Sequence, residues 1–186
     1  MKLTTAIMAL AMTVATAAHA DSLSIDVGSG KDKAKKEDFY SVKLKDSFAL
    51  PGAFSLVTEG TINSGKTSGA TTGRAKLGVG HDILAYGPLT VNAVANITET
   101  FGTTGRYTGW SVEPGAAVKA GPAVVGVSYE YGKPFNDSVN KLGEVKTTKV
   151  GVAMPVAKHS TLGLRYEQAR GDWNKNTVYA GFSTKF

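Results

Sequence analysis

The sequence contains no cysteine, which excludes a disulfide framework and a cysteine-based metal site. After residue 20 it has no run of 18 consecutive apolar residues, so this part offers no candidate transmembrane helix. Histidine is scarce, with three in 186 residues, and neither a metal nor another cofactor is expected. The net charge of +6 is modest and does not by itself indicate nucleic-acid binding.

Glycine is abundant, with 22 residues, and apolar residues alternate with polar ones along most of the chain. The alternating segments are roughly 8 to 12 residues long and end at turn residues, which is typical of an all-β chain. Ten strands are predicted, at 23–28, 40–45, 54–62, 74–80, 89–98, 110–119, 125–131, 149–154, 162–167 and 178–186. Eight strands are the alternative, because the first is short and Pro114 predicts a bulge in the sixth.

The segment 178–186 has one mainly apolar row and one row of small or polar residues. The apolar row consists of Val178, Ala180, Phe182, Thr184 and Phe186. This ending resembles the C-terminal strand of bacterial outer-membrane β-barrels, where a terminal phenylalanine and alternating apolar residues act as the assembly signal. The resemblance implies that Phe182 and Phe186 are recognised by the barrel assembly machinery.

The connections between the predicted strands alternate in length. Short ones lie at 50–52, 86–88, 120–122 and 155–159; longer polar ones lie at 31–38, 63–72, 133–144 and 171–176, with 102–105 as a short exception. Outer-membrane barrels have short periplasmic turns and longer extracellular loops. The pattern after residue 20 resembles the small OmpA-like, OmpX-like and opacity-type barrels, which implies a transmembrane antiparallel up-and-down β-barrel in the outer membrane.

Residues 1–20 are predicted to be a secretory signal peptide. Lys2 gives the positive start, residues 6–14 form a short apolar run, and Ala18-His19-Ala20 fits a cleavage site. Cleavage after Ala20 would leave residues 21–186 as the barrel domain, exported through the periplasm.

In a membrane barrel the apolar row faces lipid and the polar row faces the interior. The charged residues on the predicted inward rows are Asp26, Lys43, Lys45, Glu59, Arg74, Lys76, Glu113, Lys119, Glu130, Lys149, Arg165, Glu167 and Lys185. A barrel of eight to ten strands has little spare interior, so these charges are expected to fill the lumen as ion pairs. The alternative is a narrow pore that prefers anions, because eight of these residues are basic and five are acidic.

Three short motifs are interpreted as carrying no chemistry. The segment 60–67 has the spacing of a phosphate-binding loop, but the residues after it do not predict the helix that such a loop requires. Arg170-Gly171-Asp172 resembles the integrin-binding tripeptide, but Gly-Asp is common in turns. His159 precedes Ser160 at a predicted periplasmic turn, with no acid placed beside them.

The resemblance implies a structural or surface-interaction role and no enzymatic activity. A monomer is expected, in contact with outer-membrane lipids and lipopolysaccharide and without a nucleic-acid partner. The lysine-rich segment 31–36 is the candidate contact for lipopolysaccharide phosphates. A narrow anion-preferring channel is the second hypothesis, and a lipid-modifying enzyme is the third.

Overall fold

The computed structural model describes residues 21–102, 105–135, 144–171 and 174–186. It contains ten antiparallel strands: β1 (Ser22–Asp32), β2 (Glu37–Leu50), β3 (Phe54–Gly65), β4 (Thr71–Tyr86), β5 (Leu89–Gly102), β6 (Gly105–Ala120), β7 (Ala123–Pro134), β8 (Val145–Ala157), β9 (Ser160–Gly171) and β10 (Lys175–Lys185). Each strand pairs with its neighbours in the chain, and β1 also pairs with β10, from Ser22↔Lys185 to Asp32↔Lys175. The predicted ten-stranded up-and-down barrel is confirmed.

The strands extend further than the sequence predicted. β1 continues to Asp32 and β2 begins at Glu37, so the predicted loop 31–38 shrinks to a turn at 33–36. The Asp32 carboxylate accepts hydrogen bonds from the backbone amides of Ala34 and Lys35, both at 3.1 Å. Backbone pairing does not require apolar side chains, so the ladder continues into polar sequence where alternation gives no signal.

The barrel has two unlike ends. Tight turns at 51–53, 87–88, 121–122 and 158–159 form what we call the short-turn end. Three of these turns contain a glycine with positive φ, at Gly52 (75°), Gly87 (55°) and Gly121 (59°), a conformation that glycine adopts without steric cost. The opposite end is the long-loop end; the middle of the predicted loop 133–144, and Asp172, fall outside the described residues, as does the predicted signal peptide.

The register differs from expectation in the sixth strand. Pairing between β6 and β7 keeps one register on both sides of Pro114, from Val112↔Tyr131 to Gly115↔Ser128, so the predicted bulge at Pro114 is wrong. Irregularities occur instead between Asp82 and Leu84 and between Pro155 and Ala157. Both lie near the short-turn end, where a shift changes few of the side-chain orientations.

The apolar rows of the strands cover the outside of the barrel. Ile97, Val127, Leu164 and Val178 are each more than half exposed on the outer face. Among the described residues, the buried set contains six hydrophobic side chains and fifteen polar or charged ones. This distribution inverts that of a soluble protein and suits a surface surrounded by lipid. Within the same residues, no helix is long and apolar enough to cross a membrane.

Neighbouring residues of β7 should respond oppositely to the same substitution. Val127 lies on the outer face, 51 % exposed, whereas the hydroxyl of Ser128 donates to Glu113 inside the barrel. Arginine facing the middle of a bilayer costs about 2–4 kcal/mol, so Val127→Arg should lower the free energy of unfolding by about that amount. Ser128→Arg should lower it less, because the new side chain enters a polar lumen. Urea titration of the barrel in lipid vesicles measures both, and equal losses would contradict the assignment of the two faces.

Candidate functional site

The inward rows bring most of the charged side chains to the middle of the barrel. Ten of the thirteen predicted lumen charges join one connected network of ion pairs. The other three, Lys45, Lys119 and Lys185, lie nearer the short-turn end. Among the described residues, none of these three has a carboxylate within ion-pair distance.

Glu130 of β7 is the most enclosed member of the network, with 1 % of its surface exposed. Its carboxylate lies 2.9 Å from Arg74 and 2.9 Å from Lys76, both on β4. It also lies 3.3 Å from Lys149 on β8. β4 and β7 are not neighbours in the sheet, so these pairs cross the lumen.

Two branches lead from the cations around Glu130. Lys149 pairs with Glu113 at 2.6 Å, and Glu113 also accepts the Ser128 hydroxyl at 2.7 Å. Lys76 pairs with Glu59 on the adjacent strand β3 at 3.1 Å. The network therefore includes the walls formed by β3, β4, β6, β7 and β8.

The second branch continues from Glu59 to the opposite wall. Lys43 of β2 lies 3.9 Å from Glu59 and 2.6 Å from Glu167 of β9. Arg165 lies 2.9 Å from Glu167 and 2.5 Å from Asp26 on β1. Eight strands thus contribute a charged side chain, which leaves only β5 and β10 without one in the network.

Tyr179 of β10 completes this wall, and sequence reasoning assigned it no role. It is 3 % exposed, its hydroxyl lies 2.9 Å from that of Ser41, and Lys43 and Arg165 lie over its ring at 4.9 and 5.1 Å. Its position on the polar row of β10 was the available signal, because a buried cation gains from contact with an aromatic face.

We call the ten connected side chains the charge layer. Its members are Asp26, Lys43, Glu59, Arg74, Lys76, Glu113, Glu130, Lys149, Arg165 and Glu167. Five are cations and five are anions, so the layer is balanced. The cavity on its long-loop side measures about 60 Å³ and the cavity on its short-turn side about 390 Å³. The charge layer separates these two spaces and fills the middle of the lumen.

Two further groups of polar contacts lie at the long-loop end and involve residues that the sequence did not indicate. Inside the barrel, Lys175 lies 3.7 Å from Asp32, a pair missed because both residues fall beyond the predicted strands. On the rim, Glu144 lies 2.8 Å from Lys146 and 3.1 Å from Lys133, and accepts the Tyr131 hydroxyl at 2.9 Å. Hydrogen bonds from Lys146, Tyr131 and Lys133 lower the pKa of Glu144 to about 2.

Two of the motifs interpreted as carrying no chemistry, and a further histidine, His81, have the following positions in the fold. The segment 60–67 forms the end of β3 and a turn, not the start of a helix. His81 stacks on Phe54, with ring centroids 4.3 Å apart, on the outer face. His159 lies in a turn at the short-turn end, and the Ser160 hydroxyl lies 3.4 Å from that of Thr184.

Of the predicted assembly residues, Phe182 lies within β10 and Phe186 directly follows the last residue of that strand, Lys185. Phe182 is 43 % exposed and Phe186 is 77 % exposed. Phe182 pairs with Ile25 of β1 and Leu162 of β9, so it belongs to the apolar outer surface near the short-turn end.

No protein-family model and no curated protein sequence matches the chain. Solved structures do resemble it: the NanC porin is 12 % identical, covers 87 % of this chain and 100 % of its own, with a TM-score of 0.55. Neisserial surface protein A is 11 % identical, covering 89 % of this chain and 96 % of its own, with a TM-score of 0.46. The loop L8 deletion mutant of OmpT, an outer membrane protein of Vibrio cholerae, is 13 % identical, with a TM-score of 0.43; this chain spans 54 % of its length.

At 12 % identity the likeness to NanC concerns the fold alone. The membrane assignment comes from the chain's own surface: a closed ladder leaves no unpaired edge, the outer face is apolar, and the interior is polar. Closed barrels with this inversion are the β-structures that span lipid, and they belong to outer membranes. The chain is therefore a small β-barrel protein of the outer membrane.

Proposed function

We propose that this barrel is closed to solutes and has a structural or surface-interaction role in the outer membrane. The observation that carries the proposal is the charge layer, which connects eight strands across the lumen. Glu130 is 1 % exposed and Lys43 is 4 % exposed, so water does not surround the middle of the layer. A solute that passes must separate ion pairs in a confined space of low dielectric.

The energetics of these pairs favour a lasting closure. Removing one partner of a buried ion pair typically costs about 3–5 kcal/mol, because it leaves an uncompensated charge away from water. Most carboxylates here contact more than one cation; Glu130 contacts three. Parting the layer therefore breaks several pairs together, a far rarer event than the rotation of a single side chain.

The surface-interaction part of the proposal concerns the long-loop end. The turn between β1 and β2 exposes Lys33, Lys35 and Lys36, and Lys31 lies beside it on the outer face. On the neighbouring turn, Lys66 lies 4.6 Å from the Tyr40 ring centroid. We propose that these ammonium groups contact lipopolysaccharide phosphates, since charge-assisted hydrogen bonds favour that pairing. The proposal includes a monomer, export after cleavage behind Ala20, and assembly through the last strand.

A narrow anion-preferring channel is the second candidate. The space on the short-turn side of the charge layer favours it, because about 390 Å³ of the lumen is already open there. The three predicted lumen cations that do not join the layer, Lys45, Lys119 and Lys185, lie in the same half. In this hypothesis the charge layer is a gate that opens.

Conductance across a planar lipid bilayer separates the two candidates. The unmodified barrel should show no steady openings, whereas Glu130→Ala with Lys76→Ala should conduct, because the double variant removes two long side chains without changing the net charge. Lys133→Ala with Glu144→Ala is the matched control; it removes an ion pair of 3.1 Å from the exposed rim and should stay silent. Steady anion-selective openings of the unmodified barrel would favour the channel.

The charge layer should also govern stability. Glu130→Gln keeps the shape of the side chain but leaves Arg74, Lys76 and Lys149 without their shared anion, so the free energy of unfolding should fall by about 3–5 kcal/mol. Glu144→Gln, at the exposed rim, should have little effect, because solvent screens its pairs. Urea titration in lipid vesicles compares the two, and a similar small loss for both would show that the layer is not a structural element.

Phe186 should matter for assembly more than for the stability of the folded barrel. The residue is 77 % exposed, so Phe186→Ser should leave the sheet signal of detergent-refolded protein unchanged. In cells, the same variant should lower the yield in the outer-membrane fraction, because the assembly machinery is proposed to bind this row. Tyr86→Ser, equally exposed on the outer face, is the control and should accumulate normally. A normal yield of the Phe186 variant would remove the residue from the proposed signal.

A further inference from the structure

The half of the lumen nearest the short-turn end is a cavity in which small residues of β7 to β10 form much of one wall. The inner rows of β7 to β10 place Gly126 opposite Gly151, and Gly163 opposite Gly181. Without side chains there, a space of about 390 Å³ remains below the charge layer. This volume falls within the range of small-molecule binding sites.

The cavity is continuous with the outside through the short-turn end. A second space of about 580 Å³ lies at that end, and both spaces are lined by Ser24, Lys45, Asn92 and Val94. Lys185 lines the outer space. The charge layer lies on the other side of the cavity, so the open entrance is at the short-turn end, the end that faces the periplasm in outer-membrane barrels.

Lys45 is a surplus cation on the wall of this cavity. Every carboxylate of the charge layer is within ion-pair distance of a cation of the layer itself. Glu59 is the cross-strand neighbour of Lys45, but its ion pairs are with Lys43 and Lys76. Among the described residues, no acid lies within ion-pair distance of Lys45, and the side chain is accessible from the cavity.

We propose that this cavity binds a small solute that carries a carboxylate or a phosphate and reaches it from the periplasm. The ammonium group of Lys45 pairs with the anion, and the amide of Asn92, which lines the same two spaces, supplies a neutral hydrogen-bond donor. The binding site goes beyond the proposed closed barrel and does not require conduction.

Glycine amide signals in nuclear magnetic resonance spectra of the detergent-refolded, isotope-labelled barrel provide the test. Inorganic phosphate and citrate are titrated separately, and the tighter of the two identifies the anion class. Saturable shifts are expected at Gly126, Gly151, Gly163 and Gly181. Lys45→Gln should weaken the binding about tenfold, which corresponds to about 1.4 kcal/mol. Lys158→Gln, in the exposed turn between β8 and β9 at the short-turn end, is the matched control; it lines neither space and should leave the affinity unchanged.

A second variant tests the cavity independently of the charge. A Cβ at Gly126 would meet its nearest atoms at 3.7 and 3.8 Å, which is ordinary van der Waals contact, and the residue lines the cavity that a longer side chain would enter. Gly126→Leu should therefore fold and abolish the shifts by filling the space while Lys45 stays in place. Absence of saturable shifts in the unmodified barrel, or shifts that persist in both variants, would overturn the proposal. Neither result bears on conductance, so the closed barrel is tested separately.

Discussion

The backbone of a chain in lipid has to satisfy its own hydrogen bonds, and in this molecule the pairing of β1 with β10 makes that possible. Without it, the sheet would expose two edges to hydrocarbon, each with a row of unpaired amides and carbonyls. Closure also creates an inside and an outside. Once ten strands form a ring, period-two alternation sends one row of side chains to lipid and the other to the lumen. The apolar surface and the charged interior both follow from this one constraint.

The interior is stabilised in a way that differs from a soluble core. In place of packed hydrocarbon it holds five carboxylates and five cations, arranged so that each contacts at least one opposite charge. Such groups are stable away from water only in combination, because each compensates the lost hydration of another. Lys45 is not a member of this balanced set and lines both of the spaces, of about 390 and 580 Å³, that remain open toward the short-turn end. This cation, without an ion-pair partner among the described residues, therefore lies where the lumen has open volume.

The fold was largely predictable from the sequence. For the site, the sequence predicted which charged residues face the lumen but not which of them form ion pairs. Alternation and turn residues give the number of strands and the face of Val127 or Ser128, because both signals are local. They do not give the partners: Glu130 meets Arg74 and Lys76 from a strand three places away in the ring, and this contact depends on the curvature of the closed sheet. Strand ends were missed for a related reason, since Asp32 and Lys175 continue the ladder without an apolar row. Tyr179 was placed on the inner row, but its enclosure depends on Ser41 and Lys43 of another strand.

The charge layer gives the barrel a means of rejecting misaligned strands. A register shift of one residue between neighbouring strands turns an apolar row toward the lumen and a polar row toward lipid, which is unfavourable. A shift of two residues keeps the apolar row facing lipid, so the hydrophobic pattern does not oppose it. Here the second error is also opposed. Lys149 lies opposite Glu167, and a two-residue slip between β8 and β9 in one direction would place it opposite Arg165 instead. Like charges would then face each other inside the barrel, and their repulsion would disfavour the shifted register. The charge pattern therefore selects the native strand register, which the hydrophobic pattern alone does not determine.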